Sequence, residues 1–143
     1  MKDFSSYSIL MVDDVPINLL VVSKMLTPFN FRIRMAGGGR EALEMIMQEK
    51  PDILLLDLMM PEIDGFEVLS RVKSNPIYSG IKVIVLSALN SNEDIVRAYE
   101  LGTSDFITKP ILMDKLINSI DVQIKAIESS RPVNLGLKDL ANQ

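Results

Sequence analysis

Four short apolar runs along the chain each lead into a polar residue. Runs of this kind are typical of strands buried on both faces of a parallel sheet. The carboxyl ends of such strands share one edge of an open α/β sheet, and ligands bind at that edge. We therefore expect three carboxylates, a hydroxyl and a lysine to converge there. These residues are Asp13 with Asp14 after residues 9–12, Asp57 after 53–56, Ser87 after 83–86, and Lys109 after 106–108.

Length and composition indicate one globular domain. The chain has 143 residues, of which 48% are hydrophobic and 24% are charged, so it can bury a core of its own. Its net charge of -4 opposes nonspecific attraction to nucleic acid or to an anionic membrane, and a protein partner is expected instead. Residues 1–6 lack the layout of a signal peptide, and no long apolar span follows, so we expect a cytoplasmic location.

Two residue types that carry much of protein chemistry are absent. The chain has no cysteine, which excludes disulfides, zinc-thiolate sites and thiol catalysis. It has no histidine either. Any imidazole base or phosphohistidine that its chemistry needs must therefore come from another molecule.

Strand-like and helix-like stretches alternate five times along the chain, as in repeated βα units. We predict strands near residues 8–13, 31–36, 52–57, 81–87 and 104–108. Right-handed crossovers between parallel strands place helices on both faces of the sheet. The pattern predicts an α/β, flavodoxin-like (βα)5 fold, a five-stranded parallel sheet of order 2-1-3-4-5 with helices on both faces.

Local signals bound the intervening helices. Pro16 suits the first turn of the first helix, which we expect to end by Pro28. The second helix follows Gly37-Gly-Gly, and the third begins near Asp64 and Gly65 and stops before Pro76. The fourth follows the capping-box spacing Ser91 to Asp94 and closes at Gly102. The last carries an apolar stripe from Met113 to Ile127.

Beyond Ile127 the periodicity is lost and breakers such as Pro132 and Gly136 appear. We therefore expect residues 1–127 to form the domain and residues 128–143 a C-terminal tail or linker.

The acidic residues at the predicted edge suit two interpretations. Adjacent carboxylates at Asp13 and Asp14 are costly unless a cation compensates them, and Mg²⁺ prefers such oxygen ligands. The pair would also be favourable as a cap on the helix that starts at Pro16. Asp57 is a candidate nucleophile that could form an acyl phosphate, although a lone aspartate at a strand end is usually only solvated.

The remaining edge residues are also open to two interpretations each. Lys109 is placed to pair with a carboxylate or a phosphoryl oxygen, or is an ordinary surface lysine. Ser87 is a hydrogen-bond donor to a phosphoryl oxygen, or a turn residue. Pro110 admits a cis peptide bond that would direct the lysine inward, but most such bonds are trans.

Taken together and in this order, these residues resemble the receiver domain of two-component response regulators, over residues 7–127. The acidic pair matches Asp13 and Asp14, and the phosphoacceptor matches Asp57 within the family-like stretch 57–65. The hydroxyl position and its small neighbour match Ser87 and Ala88. The lysine, its structural proline and the aromatic switch position match Lys109, Pro110 and Phe106.

The resemblance implies a mechanism and partners. Asp57 would take a phosphoryl group from a histidine on a sensor histidine kinase or histidine phosphotransfer protein, or from a small acyl phosphate. Mg²⁺ would bind Asp13 or Asp14, Asp57 and the backbone carbonyl of Met59. Lys109 and Ser87 would hold the phosphoryl oxygens. Ser87 would then move inward and Phe106 rotate, which changes the surface of the fourth helix, fifth strand and fifth helix, the face through which such domains often form homodimers.

Two positions depart from the common family pattern. Met59, two residues after Asp57, and Leu89, two after Ser87, would flank the phosphoryl group with apolar side chains. Apolar side chains cannot position a hydrolytic water, so we expect a long-lived phosphoaspartate.

Three other functions share parts of this pattern. A haloacid-dehalogenase-like phosphatase would need a general acid at Met59. A flavin module would need a phosphate-binding loop where Asp13 and Asp14 stand, and Gly37-Gly-Gly-Arg40 is only a weak phosphate-loop candidate. A receiver-like domain that binds partners without phosphorylation is the third. The output is also open between a stand-alone receiver and the N-terminal part of a longer regulator.

Overall fold

The computed structural model describes residues 3–130, which form five strands and five α-helices in strict alternation. The strands are β1 (Ser8–Val12), β2 (Arg32–Ala36), β3 (Ile53–Leu56), β4 (Lys82–Ser87) and β5 (Asp105–Thr108). The helices are α1 (Pro16–Leu26), α2 (Gly39–Gln48), α3 (Gly65–Ser74), α4 (Asn92–Glu100) and α5 (Met113–Ser130).

The strands form one parallel sheet in the order β2-β1-β3-β4-β5, which confirms the predicted fold class and strand order. The register aligns the ends of β2, β1 and β3, and β4 and β5 continue two residues beyond that level. Val12 lies opposite Leu56, and Leu56 lies opposite Val85. Asp13 and Asp57 therefore leave two neighbouring strands at the same level.

The central strands separate two apolar cores. Their side chains alternate between the faces of the sheet, and β1 and β3 are buried at every position. One core joins the sheet to α2, α3 and α4, and its strand residues are Leu10, Val12, Ala36, Leu54, Leu56, Val83 and Val85. The other joins it to α1 and α5, and its strand residues are Ile9, Met11, Ile53, Leu55, Ile84, Leu86 and Ile107.

Most helix boundaries follow the predicted signals. Pro16 opens α1, and the Asp64 carboxylate caps α3 by accepting a hydrogen bond from the Glu67 amide at 2.9 Å. The Ser91 hydroxyl caps α4 in the same way, by accepting from the Asp94 amide at 3.1 Å. Gly102 follows α4 with φ of 106°, the left-handed conformation that its identity predicted.

Two helix ends differ from the prediction. The α-helical hydrogen bonding of α1 stops at Leu26, and a 3₁₀ turn at Thr27–Phe29 contains Pro28. Proline is tolerated in the first turn of such a helix, because the amide donor that it lacks is not needed there. At the other end of the chain, α5 extends to Ser130. Residues 128–130 of the predicted tail therefore belong to α5. The rest of the predicted tail, from residue 131, lies outside the described residues.

Within residues 3–130, none of the helices combines the length and the apolar composition that a bilayer crossing requires.

The central strands should carry most of the stability of the domain. Leu54 on β3 is fully buried, whereas Leu20 on α1 is 49% exposed. We expect Leu54→Ala to lower the free energy of unfolding by about 2–5 kcal/mol, since it leaves a cavity in the core. Leu20→Ala is the matched control and should change it by no more than about 0.5 kcal/mol. Urea denaturation measures both, and equal losses would contradict the assignment of the core to the sheet.

Candidate functional site

Three carboxylates converge at the carboxyl edge of the sheet. Asp13 and Asp14 follow β1, Asp57 follows β3, and one oxygen from each carboxylate lies within 4.8 Å of the others. Asp13 and Asp57 are only 7% and 6% exposed, whereas Asp14 faces solvent. The cluster forms because β1 and β3 are adjacent in the sheet although they lie more than forty residues apart in sequence.

Lys109 supplies the positive charge of this cluster. Its Nζ donates to Oδ2 of Asp13 at 2.9 Å and to Oδ2 of Asp57 at 3.5 Å. The lysine follows β5, and its backbone amide donates to the Ser87 carbonyl at 2.9 Å, which fixes the lysine beside the end of β4. The peptide bond between Lys109 and Pro110 is cis, the isomer that the sequence left open.

The three carboxylates differ in the number of hydrogen bonds that they accept from the protein. Asp13 accepts from the Val15 amide at 2.9 Å and from Nδ2 of Asn18 at 3.2 Å, in addition to Lys109. Asp57 accepts from the Met59 amide at 3.2 Å. Within the described residues the Asp14 carboxylate accepts no hydrogen bond. Asp14 and Asp57 therefore retain the larger capacity to bind another group.

The electrostatics of the site reflect its excess of negative charge. Burial raises the pKa of Asp57 above its ordinary value, because the Met59 hydrogen bond and the Lys109 charge offset only part of the desolvation. Burial alone would lower the pKa of Lys109, but its hydrogen bond to Asp13 and the charges of Asp57 and Asp13 outweigh burial and raise it. The lysine therefore remains protonated near neutral pH.

The cluster has the donor set of a hard divalent cation. All of its ligand atoms are oxygens, and three carboxylates face one ammonium group. Carboxylate oxygens of this kind bind Mg²⁺ or Ca²⁺ rather than softer metals. A divalent cation would balance the remaining charge, so the residues present fit a metal ion.

The hydroxyl and aromatic positions predicted from the sequence lie on the neighbouring strands. Ser87 ends β4, is completely buried, and accepts a hydrogen bond from the Leu89 amide through Oγ at 3.2 Å. Ala88 follows it at the surface. Phe106 on β5 is half-buried and lies opposite Val85 of β4. The structure thus places Ser87 and Phe106 on adjacent strands, with Ser87 at the carboxyl end of the strand that neighbours β3.

The two unusual apolar residues lie on different loops, Met59 after β3 and Leu89 after β4. Met59 is 54% exposed, and Leu89 is half-buried. Both line a shallow groove beside the site, together with Phe66 and Arg97. The guanidinium of Arg97 lies 4.0 Å above the centre of the Phe66 ring, which joins α4 to α3 at the base of this groove.

Two features near the site had no clear signal in the sequence. Asn18, in the first turn of α1, orients the Asp13 carboxylate. Asp105, at the start of β5, accepts from the Ser119 hydroxyl on α5 at 2.6 Å and from the Tyr99 hydroxyl on α4 at 3.3 Å. An asparagine four residues after an acidic pair is a weak hint of the first, whereas the second depends on the approach of two helices to one strand.

Comparison with known proteins identifies relatives over most of the chain. The family model described as "Response regulator receiver domain" matches residues 9–121. A probable cyclic di-GMP phosphodiesterase of Vibrio cholerae is 37% identical over 125 residues, which are 87% of this chain and 28% of that protein. The response regulator PleD of Caulobacter vibrioides is 41% identical over 106 residues, which are 74% of this chain and 23% of that protein.

Solved structures show the same fold. The signal receiver domain of a putative LuxO repressor protein from Vibrio parahaemolyticus has a TM-score of 0.84 at 27% identity, covering 90% of this chain and 97% of that one. The signal receiver domain of a histidine kinase from Syntrophus aciditrophicus has a TM-score of 0.80 at 29% identity, covering 88% and 96%. The chain therefore spans nearly all of the solved domains, but only about a quarter of the first curated relatives.

Proposed function

The chain belongs to the response regulator receiver domain family, and from that premise we propose that Asp57 accepts a phosphoryl group from a histidine of a separate protein, in a reaction that depends on Mg²⁺. The observation that carries the proposal is the convergence of three strand ends. Asp13, Asp57 and Lys109 come from β1, β3 and β5, yet they share one hydrogen-bonded cluster. Members of this family accept phosphoryl groups and interact with histidine kinases and phosphotransfer proteins.

Asp57 is the carboxylate best placed to be the nucleophile. It is buried at the cluster and accepts from two protein donors, the Met59 amide and Lys109, whereas three donors already occupy Asp13. An oxygen of Asp57 would form a bond to phosphorus while the bond from phosphorus to the histidine nitrogen breaks, and that nitrogen keeps the electron pair. No histidine of this chain is needed.

The metal would be held by Asp13 or Asp14, Asp57 and the backbone carbonyl of Met59. Asp14 is exposed and accepts no hydrogen bond from the described residues, so it can ligate without losing a protein partner. When bound, Mg²⁺ would neutralise the carboxylates and orient the incoming phosphoryl oxygens.

Lys109 and Ser87 would stabilise the transferred group. The ammonium of Lys109 already lies 3.5 Å from Oδ2 of Asp57, so it can bind the phosphoryl oxygens once they are attached to that carboxylate. The Ser87 hydroxyl lies at the end of the adjacent strand, where its present contact is the Leu89 amide. A move of Ser87 toward the phosphoryl group would release that amide and the start of the following loop.

The released loop would carry the signal to α4, β5 and α5. Phe106 is half-buried on β5, and Asp105 beside it bonds Tyr99 of α4 and Ser119 of α5. Rotation of Phe106 would therefore change a face where both helices are tied to one strand. A shift from 1:99 to 99:1 takes about 5.5 kcal/mol, which a few charge-assisted hydrogen bonds supply.

We propose that this face also forms a homodimer. Val96, Tyr99 and Val122 are 52%, 47% and 59% exposed on α4 and α5. A second copy would cover these apolar side chains once the face has changed.

The partner that donates the phosphoryl group would dock on α1. Ile17, Leu20 and Val21 are 59%, 49% and 46% exposed there, beside the carboxylate cluster. A partner helix that covered these side chains would bring its phosphohistidine to Asp57.

The domain would extend through Ser130, three residues beyond the predicted boundary at 127, because α5 continues to that residue, and we propose that it is the N-terminal part of a longer regulator. The first curated relatives are about four times as long as the matched segment, and one is named a probable cyclic di-GMP phosphodiesterase. The comparison supports a receiver that controls an attached output module.

Acetyl phosphate tests the central proposal. With Mg²⁺ the wild-type protein should gain the mass of one phosphoryl group, because Asp57 attacks an acyl phosphate as it would a phosphohistidine. Asp57→Asn should gain none, and a chelator should abolish the gain in the wild type. Asp14→Asn keeps the acceptor and should react slowly, with partial recovery at high Mg²⁺. Intact-protein mass spectrometry measures all four, and equal phosphorylation of Asp57→Asn would overturn the assignment.

The lifetime of the phosphoaspartate should depend on Met59 and Leu89. The double substitution Met59→Asn with Leu89→Glu should speed dephosphorylation by at least about tenfold, since polar side chains can position a hydrolytic water. Met47→Asn, at a 65% exposed methionine on α2, is the control and should leave the rate unchanged. Loss of phosphate followed over time gives each rate, and identical rates in all proteins would refute the role of the apolar groove.

Docking on α1 predicts a selective defect. Ile17→Glu should slow transfer from a phosphorylated histidine phosphotransfer protein about tenfold or more, because it places a charge in an apolar interface. Reaction with acetyl phosphate should be unaffected, since Ile17 is outside the cluster. Lys24→Gln, in the last turn of α1, makes the same change of one unit in net charge and is the control. A defect with both donors would place Ile17 in the chemistry instead of the docking surface.

A further inference from the structure

The segment Gly37 to Arg40 has no part in the proposed chemistry, but Gly39 packs against the loop that follows Asp57. Gly38 caps α2, and Gly39 is its first residue. Gly39 is buried against Ile63, which belongs to residues 58–64, the loop that leads from Asp57 to α3. This is the loop that carries the Met59 carbonyl.

The contact leaves no room for a side chain at Gly39. A Cβ atom there would lie 2.3 Å from the backbone oxygen of Ile63 and 2.9 Å from its Cβ and Cγ2. The backbone of Gly39 is not in the left-handed region, so the requirement is one of space and not of conformation. Because the nearest atom is a backbone oxygen, rotation of a side chain cannot relieve the overlap.

The same loop is fixed at its two ends by other contacts. At its start, the Met59 amide donates to Oδ1 of Asp57 at 3.2 Å. At its end, the Gly65 amide donates to the Leu58 carbonyl at 3.1 Å. Between these ends, Glu62 has a φ of 63°, and the ion pair between Arg40 and Glu62 is long, at 3.7 Å, and exposed. The packing of Ile63 on Gly39 therefore supports the middle of the loop, together with the burial of Met60 and Ile63 in the core.

We propose that Gly39 is a positioning residue for the metal site: the first turn of α2 sets the path of residues 58–64 and so the place of the Met59 carbonyl relative to Asp57 and Asp14. The inference rests on the proposed function. A larger residue at Gly39 displaces Ile63 and, through the loop backbone, the carbonyl. Mg²⁺ demands near-ideal octahedral ligands at about 2.0–2.1 Å, whereas Ca²⁺ accepts irregular ones at about 2.3–2.6 Å. The displacement should therefore weaken Mg²⁺ binding more than Ca²⁺ binding.

The test compares two neighbouring glycines. Gly39→Ala should lower Mg²⁺ affinity by about tenfold, the usual effect of losing a group that orients a ligand, with a smaller loss for Ca²⁺. Gly38→Ala should leave both affinities unchanged, because a Cβ at Gly38 meets nothing within 4 Å and its φ of -179° suits any residue. Titration of the Met59 and Gly65 amide signals by NMR with each metal measures the affinities without any phosphorylation reaction.

Ile63→Ala provides a second route that adds no atoms, and it decides the matter if Gly39→Ala does not fold. It removes the Ile63 side chain beyond Cβ, including the Cγ2 that packs on Gly39, and should also lower the ratio of Mg²⁺ to Ca²⁺ affinity. A role in stability alone would lower the urea midpoint of either variant and leave that ratio as in the wild type, which would overturn the inference. If the wild-type protein itself binds no Mg²⁺, the proposed metal site fails, and the role of Gly39 fails with it.

Discussion

The site depends on the pairing of the Lys109 ammonium with the buried carboxylates of Asp13 and Asp57. Three carboxylates with oxygens within 4.8 Å of one another repel, and Asp13 and Asp57 lie out of solvent. One lysine bonds both buried carboxylates, at 2.9 and 3.5 Å, and joins the ends of β1, β3 and β5 across the sheet. A single positive charge cannot balance three negative ones, so the folded domain keeps a local excess of negative charge. That excess is what makes the site receptive to a cation and, with it, to a phosphoryl group.

The parallel sheet makes this cluster unavoidable. The register places Val12 and Leu56, the last residues of β1 and β3, opposite each other, so Asp13 and Asp57 emerge at one level, and β4 continues two residues beyond that level to Ser87. Burial of β1 and β3 on both faces leaves no freedom for these strands to slip, because a shift of one residue would exchange the two apolar cores. The precision of the site is therefore a by-product of core packing, and the loops after the strands only refine it.

Sequence patterns were sufficient for the fold and for the convergence of the strand ends, because both follow from local runs of apolar residues. Asp13 and Asp57 were readable as edge residues for the same reason, although each lies just beyond its strand and not within it. Contacts that a helix makes with a strand or a loop distant in sequence could not be predicted. The bonds of Asp105 to Tyr99 and Ser119 and the packing of Gly39 on Ile63 exist only because helices approach a strand or a loop in three dimensions. The 3₁₀ turn at Pro28 was missed because proline permits either ending.

The position of β5 at the edge of the sheet has a mechanical consequence. The sheet divides the interior into two cores, with α4 in one layer and α5 in the other. Asp105 bonds a side chain from each, so one carboxylate spans the seam between the layers. Sliding of either layer against the sheet must lengthen or break one of these two bonds. A protein bound over β5 would thus respond to the position of both helix layers through Asp105 alone, without contacting the buried residues of either core.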